Sequence, residues 1–399
     1  MNYPITKYRL AILTSHPIQY QAPLFRKLAA HPKIDLTVYF CWDFGIREEY
    51  DPGFGKKIKW DIPLIEGYKY KFLRNYSPKP NKGFLGHINP SIIKELWKNR
   101  YDAILVHGYA NFTSWLAFLG AWLSRIPIFL RGESHLLNYR PLWKRVIKKV
   151  LLIPLFKMIS SFLAIGTLNK QYYEYYKVPK EKIFLVPYVA DQDFFYEKKK
   201  EHIRKIKEIK EGLGIADKEV VILYVGKIFG GKGPGAFDLL KAFERLKSKP
   251  AKLIFVGDGK ERLILEKYKN KHKIKNIIFT GFVNQNEISK YYAIGDILAL
   301  PSYHEQWGMV INEAMYFNTA IIASDQVGGA HDLVHHGKNG FIFPAGDVNT
   351  LSNYLQELVA NRELLQSMKI NSSKIIQGWN MNSCVEGVLN ALDHVRRRR

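Results

Sequence analysis

Two stretches of this chain carry glycines, lysines and carboxylates at spacings suited to a phosphorylated ligand. The first is Gly226-Lys227-Ile228-Phe229-Gly230-Gly231-Lys232-Gly233, which follows the apolar run Val220–Val225. A glycine-rich turn after a buried strand lets backbone N–H groups approach an anion, and the start of the next helix adds its positive end. Lys227 and Lys232 add two ammonium groups. The segment nearly fits a P-loop, with Gly226, four residues, Gly231 and Lys232. The next position should supply a hydroxyl for magnesium and is Gly233, which argues against a P-loop nucleotide hydrolase. The second stretch runs from Leu300 to Ala314 and reads LPSYHEQWGMVINEA. A Pro-Ser break ends an apolar strand, a loop carries Glu305 and Gly308, and a helix then carries Glu313. Open α/β sheets bind ligands at the carboxyl ends of their strands, where Glu305 falls. Backbone N–H groups of Gly308, Met309 and Val310 at the helix start suit a phosphate. Glu313, further into the helix, can accept hydrogen bonds from ribose hydroxyls.

Other polar residues gather at strand ends earlier in the chain. Thr14-Ser15-His16 closes the first apolar strand and Arg131-Gly132-Glu133-Ser134-His135 closes the fourth. The concentration of Arg, Glu and His favours a site at the second, whereas a lone histidine such as His16 is more often structural or solvated. The register leaves His16, Arg131 and His135 as alternatives for an acceptor-side role, with Glu133 between them. Asp191-Gln192-Asp193 has the D-x-D spacing of metal-dependent transferases, but it falls at the expected interdomain hinge and reads as structural. No metal is expected.

The elements that must position these residues are legible as short apolar runs alternating with longer helical segments. Strands are expected at 9–14, 36–41, 103–107, 126–130, 162–165 and 183–186, and in a second series at 220–225, 252–256, 277–280, 297–300, 320–323 and 340–343. Runs such as VVILYVG lack polar alternation, as expected of parallel strands buried on both faces. Two such series predict two Rossmann-like, doubly wound α/β domains facing across a cleft. The charge run EKKKEHIRKIKEIKE at 197–211 marks the boundary and reads as a linker helix docked through its isoleucines. The expected division is residues 1–192 and 193–377, with a last helix at about 378–399 packing back on the first domain.

The context around Glu305 and Glu313 resembles the donor-binding signature of retaining glycosyltransferases of family 4, which have the two-Rossmann GT-B architecture. The resemblance spans the second domain through VGK-x4-KG at 225–233, VGDG at 256–259, TGFV at 280–283, PSYHEQWG at 301–308, NEAM at 312–315 and NGFIFPAGD at 339–347. It extends more weakly to AIGT at 164–167 and VPYVAD at 186–191. It implies that Lys227 and Lys232 clamp the diphosphate, that Glu305 contacts the donor sugar and Glu313 the ribose, and that Gly281 and Phe282 lie near the base. It also implies a role toward donor sugar or acceptor in the Arg131–His135 loop, where the motif histidine is replaced or shifted. Lys227 stands where the family usually has arginine, which keeps the charge but loses the bidentate fork. Trp307 replaces a phenylalanine and Asn318 a glycine.

The 399 residues carry 60 Lys+Arg against 36 Asp+Glu, a formal net charge of +24. Such an excess favours an anionic partner. Residues 1–192 hold +16 of it, with 29 Lys+Arg against 13 Asp+Glu. There the stretch YRPLWKRVIKKVLLIPLFKM at 139–158 mixes basic, aromatic and apolar residues: it reads equally as a helix on an anionic membrane and as the helix expected between two strands, with its second half packed in the core. Cys41 and Cys384 are too few for a disulfide framework or a thiolate zinc site. The N-terminus lacks the order of a signal peptide, and no apolar run reaches about 20 residues. The expectation is a retaining, metal-independent glycosyltransferase, cytoplasmic and peripheral at the inner face of the cell membrane. It would need no cofactor, take a nucleotide-diphosphate sugar as co-substrate, and pass the sugar to a glycan or lipid-linked acceptor in surface polysaccharide synthesis. The alternatives are a sugar-nucleotide epimerase of the same architecture and a basic nucleic-acid-binding protein. No nucleic-acid recognition pattern appears, so nucleic acid is not an expected partner.

Overall fold

Strands without polar alternation need helices on both faces, and the computed structural model places them so. It describes residues 7–51, 53–80, 83–137, 141–228, 235–246 and 250–397. The chain divides into two compact units. One comprises Met1–Glu48, Pro63–Tyr188 and Met381–Arg399, the other Glu49–Ile62 and Val189–Asn380.

In chain order the first part holds β1 (Tyr8–Thr14), β2 (Ile34–Phe40), the short pair β3 (Glu49–Asp51) and β4 (Lys56–Ile58), then β5 (Lys69–Phe72), β6 (Ala103–His107), β7 (Ile128–Arg131), β8 (Ser161–Ala164) and β9 (Ile183–Leu185). The first unit's sheet is parallel, with order β5-β2-β1-β6-β7-β8-β9. Its core gathers Ile104, Leu130, Phe156, Phe162 and Tyr173. The helix Met381–Arg396 lies against β9, close enough that a Cβ at Gly387 would come 2.1 Å from the Leu185 carbonyl oxygen. The Cys384 thiol donates to the Pro187 carbonyl at 3.1 Å in the same contact.

The second unit adds β10 (Val220–Val225), β11 (Ala251–Val256), β12 (Ile277–Gly281), β13 (Ile297–Leu300), β14 (Ala320–Ser324) and β15 (Gly340–Phe343). They form a parallel sheet of order β12-β11-β10-β13-β14-β15. Every residue of β10, β13 and β14 is buried. The strand order reverses between β10 and β13, which makes their carboxyl ends the topological switch point of this unit.

Three features depart from the sequence reading. The edge strand β5 was not expected: it reads KYKF, with its first three residues exposed, so no apolar run announces it. Residues 49–62, expected in the first domain, form the antiparallel pair β3–β4 and group with the second unit. The charged segment after residue 191 is two helices, Gln192–Ile203 and Ile206–Gly212. Its anchor is Phe195 rather than Ile203: Phe195 is buried against Tyr292, Tyr316 and Phe317, whereas Ile203 is exposed. Asp191 caps the first of these helices, accepting from Phe194 N–H.

Candidate functional site

The second unit brings Gly226 and Lys227 to the end of β10 and the loop 301–308 to the end of β13, on either side of the switch point. Close backbone crossings shape this edge. Gly257 and Gly259 have φ of 145° and 158°, and Cβ atoms there would meet the Gly226 and Ile228 carbonyl oxygens at 1.9 and 2.1 Å. Only glycine lets the two loops approach so closely. Tyr224, the last aromatic of β10, donates to the Lys227 carbonyl at 3.1 Å. Burial, then the nearby Glu305 carboxylate, pushes its phenol well above the usual tyrosine range.

The Glu305 loop is held from the other side by residues after β14. Glu305 N–H donates to the Gln326 carbonyl, and Gly328 N–H donates to the Glu305 carbonyl at 3.0 Å. Gly329 N–H donates to the Trp307 carbonyl at 2.7 Å. The Trp307 indole donates to Asn312 Oδ1 at 2.8 Å, which fixes the loop to the helix that follows. Gly308 begins that helix, Met309–Tyr316, from a left-handed conformation of φ 87°. The N–H groups of its first turn, at Met309 and Val310, are those the helix cannot satisfy internally, apart from whatever a ligand supplies. Glu313 lies four residues on, 2% exposed, and accepts 2.6 Å from the Tyr292 hydroxyl. Burial pushes its carboxyl up to about 7, against the opposing pull of bonds from Tyr292 and Gln285.

Gly281 ends β12 with φ 74°, and Phe282 follows it half-buried. Lys232 and its neighbours 229–234 lie outside the described residues. Sequence reasoning missed several partners of this edge. Asp51 bonds Lys227 Nζ through both carboxylate oxygens at 3.0 Å. Tyr303 donates to Asp238 Oδ2 at 2.7 Å, and burial and that bond push its phenol up to about 12. Nothing local in the sequence links 51 with 227, or 238 with 303.

In the first unit the loop residues also sit at strand ends, but with mixed surroundings. His16 follows β1, bonded through Nδ1 to the Ser15 hydroxyl at 2.9 Å and packed edge-on against Phe44. Burial, then His87, lowers its pKa to about 4, so it is neutral at physiological pH. Arg131 is buried, with its guanidinium bonded to the Val186 and Pro187 carbonyls at 3.2 and 3.3 Å and lying over the Tyr188 ring. Glu133 accepts 2.7 Å from the Tyr188 hydroxyl. His135 is buried and accepts from Leu137 N–H through Nδ1. The fold thus uses Arg131 to anchor the segment 186–188. His107, at the end of β6, is bonded to Gln21 and held at about 3 by burial and Arg131.

Two parallel sheets with this strand order define the class: the chain has the two-Rossmann fold of the GT-B glycosyltransferases. It matches the Anabaena HepE protein crystallised with UDP at a TM-score of 0.73 and 18% identity, covering 97% of this chain and 100% of that one. Residues 205–375 match the family described as glycosyl transferases group 1, and the second unit carries that family's segment. Among curated relatives, alpha-D-kanosaminyltransferase of Streptomyces kanamyceticus is 26% identical over 200 residues, 50% of each chain. Alpha-monoglucosyldiacylglycerol synthase of Acholeplasma laidlawii is 33% identical over 172 residues, 42% of each chain. The chain therefore matches half or less of the length of these relatives.

Proposed function

We propose that this protein is a retaining, metal-independent glycosyltransferase that moves a sugar from a nucleotide-diphosphate donor to a glycan or lipid-linked acceptor. The observation that carries this reading is the convergence of Lys227 after β10 with Glu305, the helix start at Gly308 and buried Glu313 after β13, all at the switch point of one parallel sheet. Breaking the bond between the anomeric carbon and the diphosphate oxygen leaves negative charge on the leaving group. Lys227, Lys232 and the N–H groups of Met309 and Val310 stabilise that charge electrostatically. The acceptor hydroxyl oxygen bonds to the anomeric carbon as that bond breaks, and its proton passes to the departing diphosphate oxygen. Glu305 contacts the donor sugar and Glu313 the ribose hydroxyls.

The acceptor side of the reading rests on the first unit's surface. Helix Leu142–Met158 buries Leu152, Leu155 and Phe156 in the core but exposes Leu142, Trp143, Val146, Ile147 and Val150. Exposed apolar residues of this size beside lysines suit the boundary of an anionic bilayer. Among the described residues no helix is long and apolar enough to cross a membrane. The relative whose name gives a diacylglycerol product supports a lipid-linked acceptor, and we place the enzyme at the inner face of the cell membrane.

A panel of nucleotide sugars read by mass spectrometry tests the proposal. Slow release of one nucleoside diphosphate, with water as acceptor, is expected. No turnover of any donor, together with no rise in melting temperature with UDP, GDP, ADP or dTDP, would sink it.

A further inference from the structure

The residues 49–62 leave the first unit's sequence, form β3 and β4, and group with the second unit. Their tip closes on the one described cation of the phosphate loop. Asp51, itself 8% exposed, bonds Lys227 Nζ through both oxygens at 3.0 Å. The same carboxylate accepts from Gly53 N–H at 2.7 Å and Phe54 N–H at 3.2 Å, so its own turn aims it. Lys227 lies flat on that turn. A Cβ at Gly53 would fall 2.6 Å from Lys227 Cδ, and the ammonium sits 4.7 Å from the centre of the Phe54 ring. The tip also covers the end of β12: Phe54 packs edge-on against Phe282 at 4.8 Å, and Lys56 stands over the same ring.

The foot of the hairpin is latched separately. Asn284 Nδ2 donates to the Lys59 carbonyl at 2.8 Å, and Asn286 bonds Asp61 through its backbone N–H and its side chain. Gly55, in the turn itself, adopts φ 70° with open space around it and donates its N–H to the Asp51 carbonyl at 2.9 Å. Foot and tip are thus held by separate sets of contacts.

We propose that the hairpin is an autoinhibitory strap in which Asp51 holds the phosphate-binding Lys227 until a nucleoside diphosphate displaces it; this rests on the donor-site reading above. A carboxylate and a diphosphate both seek the Lys227 ammonium. Their like charges oppose simultaneous occupancy. Donor binding is then coupled to departure of the tip, which uncovers Phe282 in the same movement. A ligand shifts such an equilibrium only by its differential affinity for the two states, so removing the Asp51 charge must raise donor affinity.

The test is titration of the full chain and its Asp51→Asn variant with UDP, GDP, ADP and dTDP by calorimetry. The strap predicts that Asp51→Asn binds whichever diphosphate is recognised about tenfold more tightly, toward the low end of usual coupling between sites. In a Lys227→Ala background the same change is expected to have no effect. Unchanged or weaker binding by Asp51→Asn, with wild type still binding, overturns the strap and leaves the donor reading standing, with Asp51 merely orienting Lys227. Phe54→Ala, which loosens the tip without touching the ion pair's charges, should tighten binding in the same direction, and failure to do so also counts against the strap. No binding by either protein overturns the donor reading and the strap with it.

Discussion

The Tyr292 hydroxyl donates a 2.6 Å hydrogen bond to Oε2 of Glu313, a carboxyl that is 2% exposed and raised to about 7 by burial. In the unfolded chain the same group titrates near 4.5. A carboxyl whose folded pKa is raised binds its proton more tightly in the folded state. Its contribution to stability is therefore full below about 4.5 and is lost as pH rises through about 7. The melting temperature of the unliganded protein should fall across that window. Glu313→Gln should remove this part of the slope, and at neutral pH should be as stable as wild type or more so, while weakening nucleotide binding. Thermal melts from pH 4.5 to 8 check this, and identical slopes in the two proteins would refute it.

A second prediction concerns the loop that carries Glu305. A Cβ on Gly328 would meet the Gln306 carbonyl oxygen at 2.0 Å. Backbone cannot yield as a flexible side chain can, so Gly328→Ala must push the 305–307 loop outward. The expected cost is about 1–3 kcal/mol of stability, with loss of nucleoside-diphosphate binding beyond what the destabilisation explains. Gly337→Ala is the control for a glycine whose Cβ would have open space but whose φ is 76°. It should cost stability through backbone strain alone and leave binding intact.

Arg131 provides a third. Its two bonds to the Val186 and Pro187 carbonyls and its place over Tyr188 predict a positioning role for the end of the first unit's sheet. Arg131→Ala should destabilise by about 2–4 kcal/mol, because buried carbonyls lose charged donors. Arg131→Lys should recover only part of this: one nitrogen serves both carbonyls, so an ammonium placed there could keep those bonds, but it loses the planar guanidinium face over Tyr188. An Arg131→Ala protein with an unchanged melting temperature but raised KM for acceptor would assign it to acceptor binding instead.

How much of this was legible beforehand follows from the range of each interaction. β6, β10, β13 and β15 are continuous apolar runs and were read with their observed limits. The loop ends at Gly226 and Pro301 followed directly from them, because a site at a strand end needs only the strand. Asp51 was not readable, because its partner Lys227 lies 176 residues away and no local pattern marks a carboxylate bound for a lysine. Arg131 reads as a cleft cation because it ends β7. Its carbonyl partners come 55 and 56 residues later. The edge strand β5 escaped because an exposed edge alternates lysine with aromatics and leaves no apolar stretch.

The last prediction concerns the exposed face of helix Leu142–Met158. Its lysines are not all turned to solvent: Lys148 lies over the Tyr172 ring and Lys149 over Tyr175, while Arg145 bonds the Tyr175 hydroxyl at 3.0 Å. The outward face mixes the exposed Lys144 and Arg145 with apolar residues, Trp143 61% and Val150 67% exposed. Membrane affinity should therefore depend on those apolar side chains as well as on charge. At about 1 kcal/mol each on partial insertion, the triple change Trp143→Ser, Ile147→Ser and Val150→Ser should weaken binding roughly 100-fold. Neutralising Lys144 should lower affinity less, in a manner that salt erases. Co-sedimentation with vesicles of equal phosphatidylglycerol and phosphatidylcholine measures both. Because the three side chains are exposed, the melting temperature should not fall, which separates lost docking from lost folding. Binding that survives the triple change would mean that this helix is not the docking face.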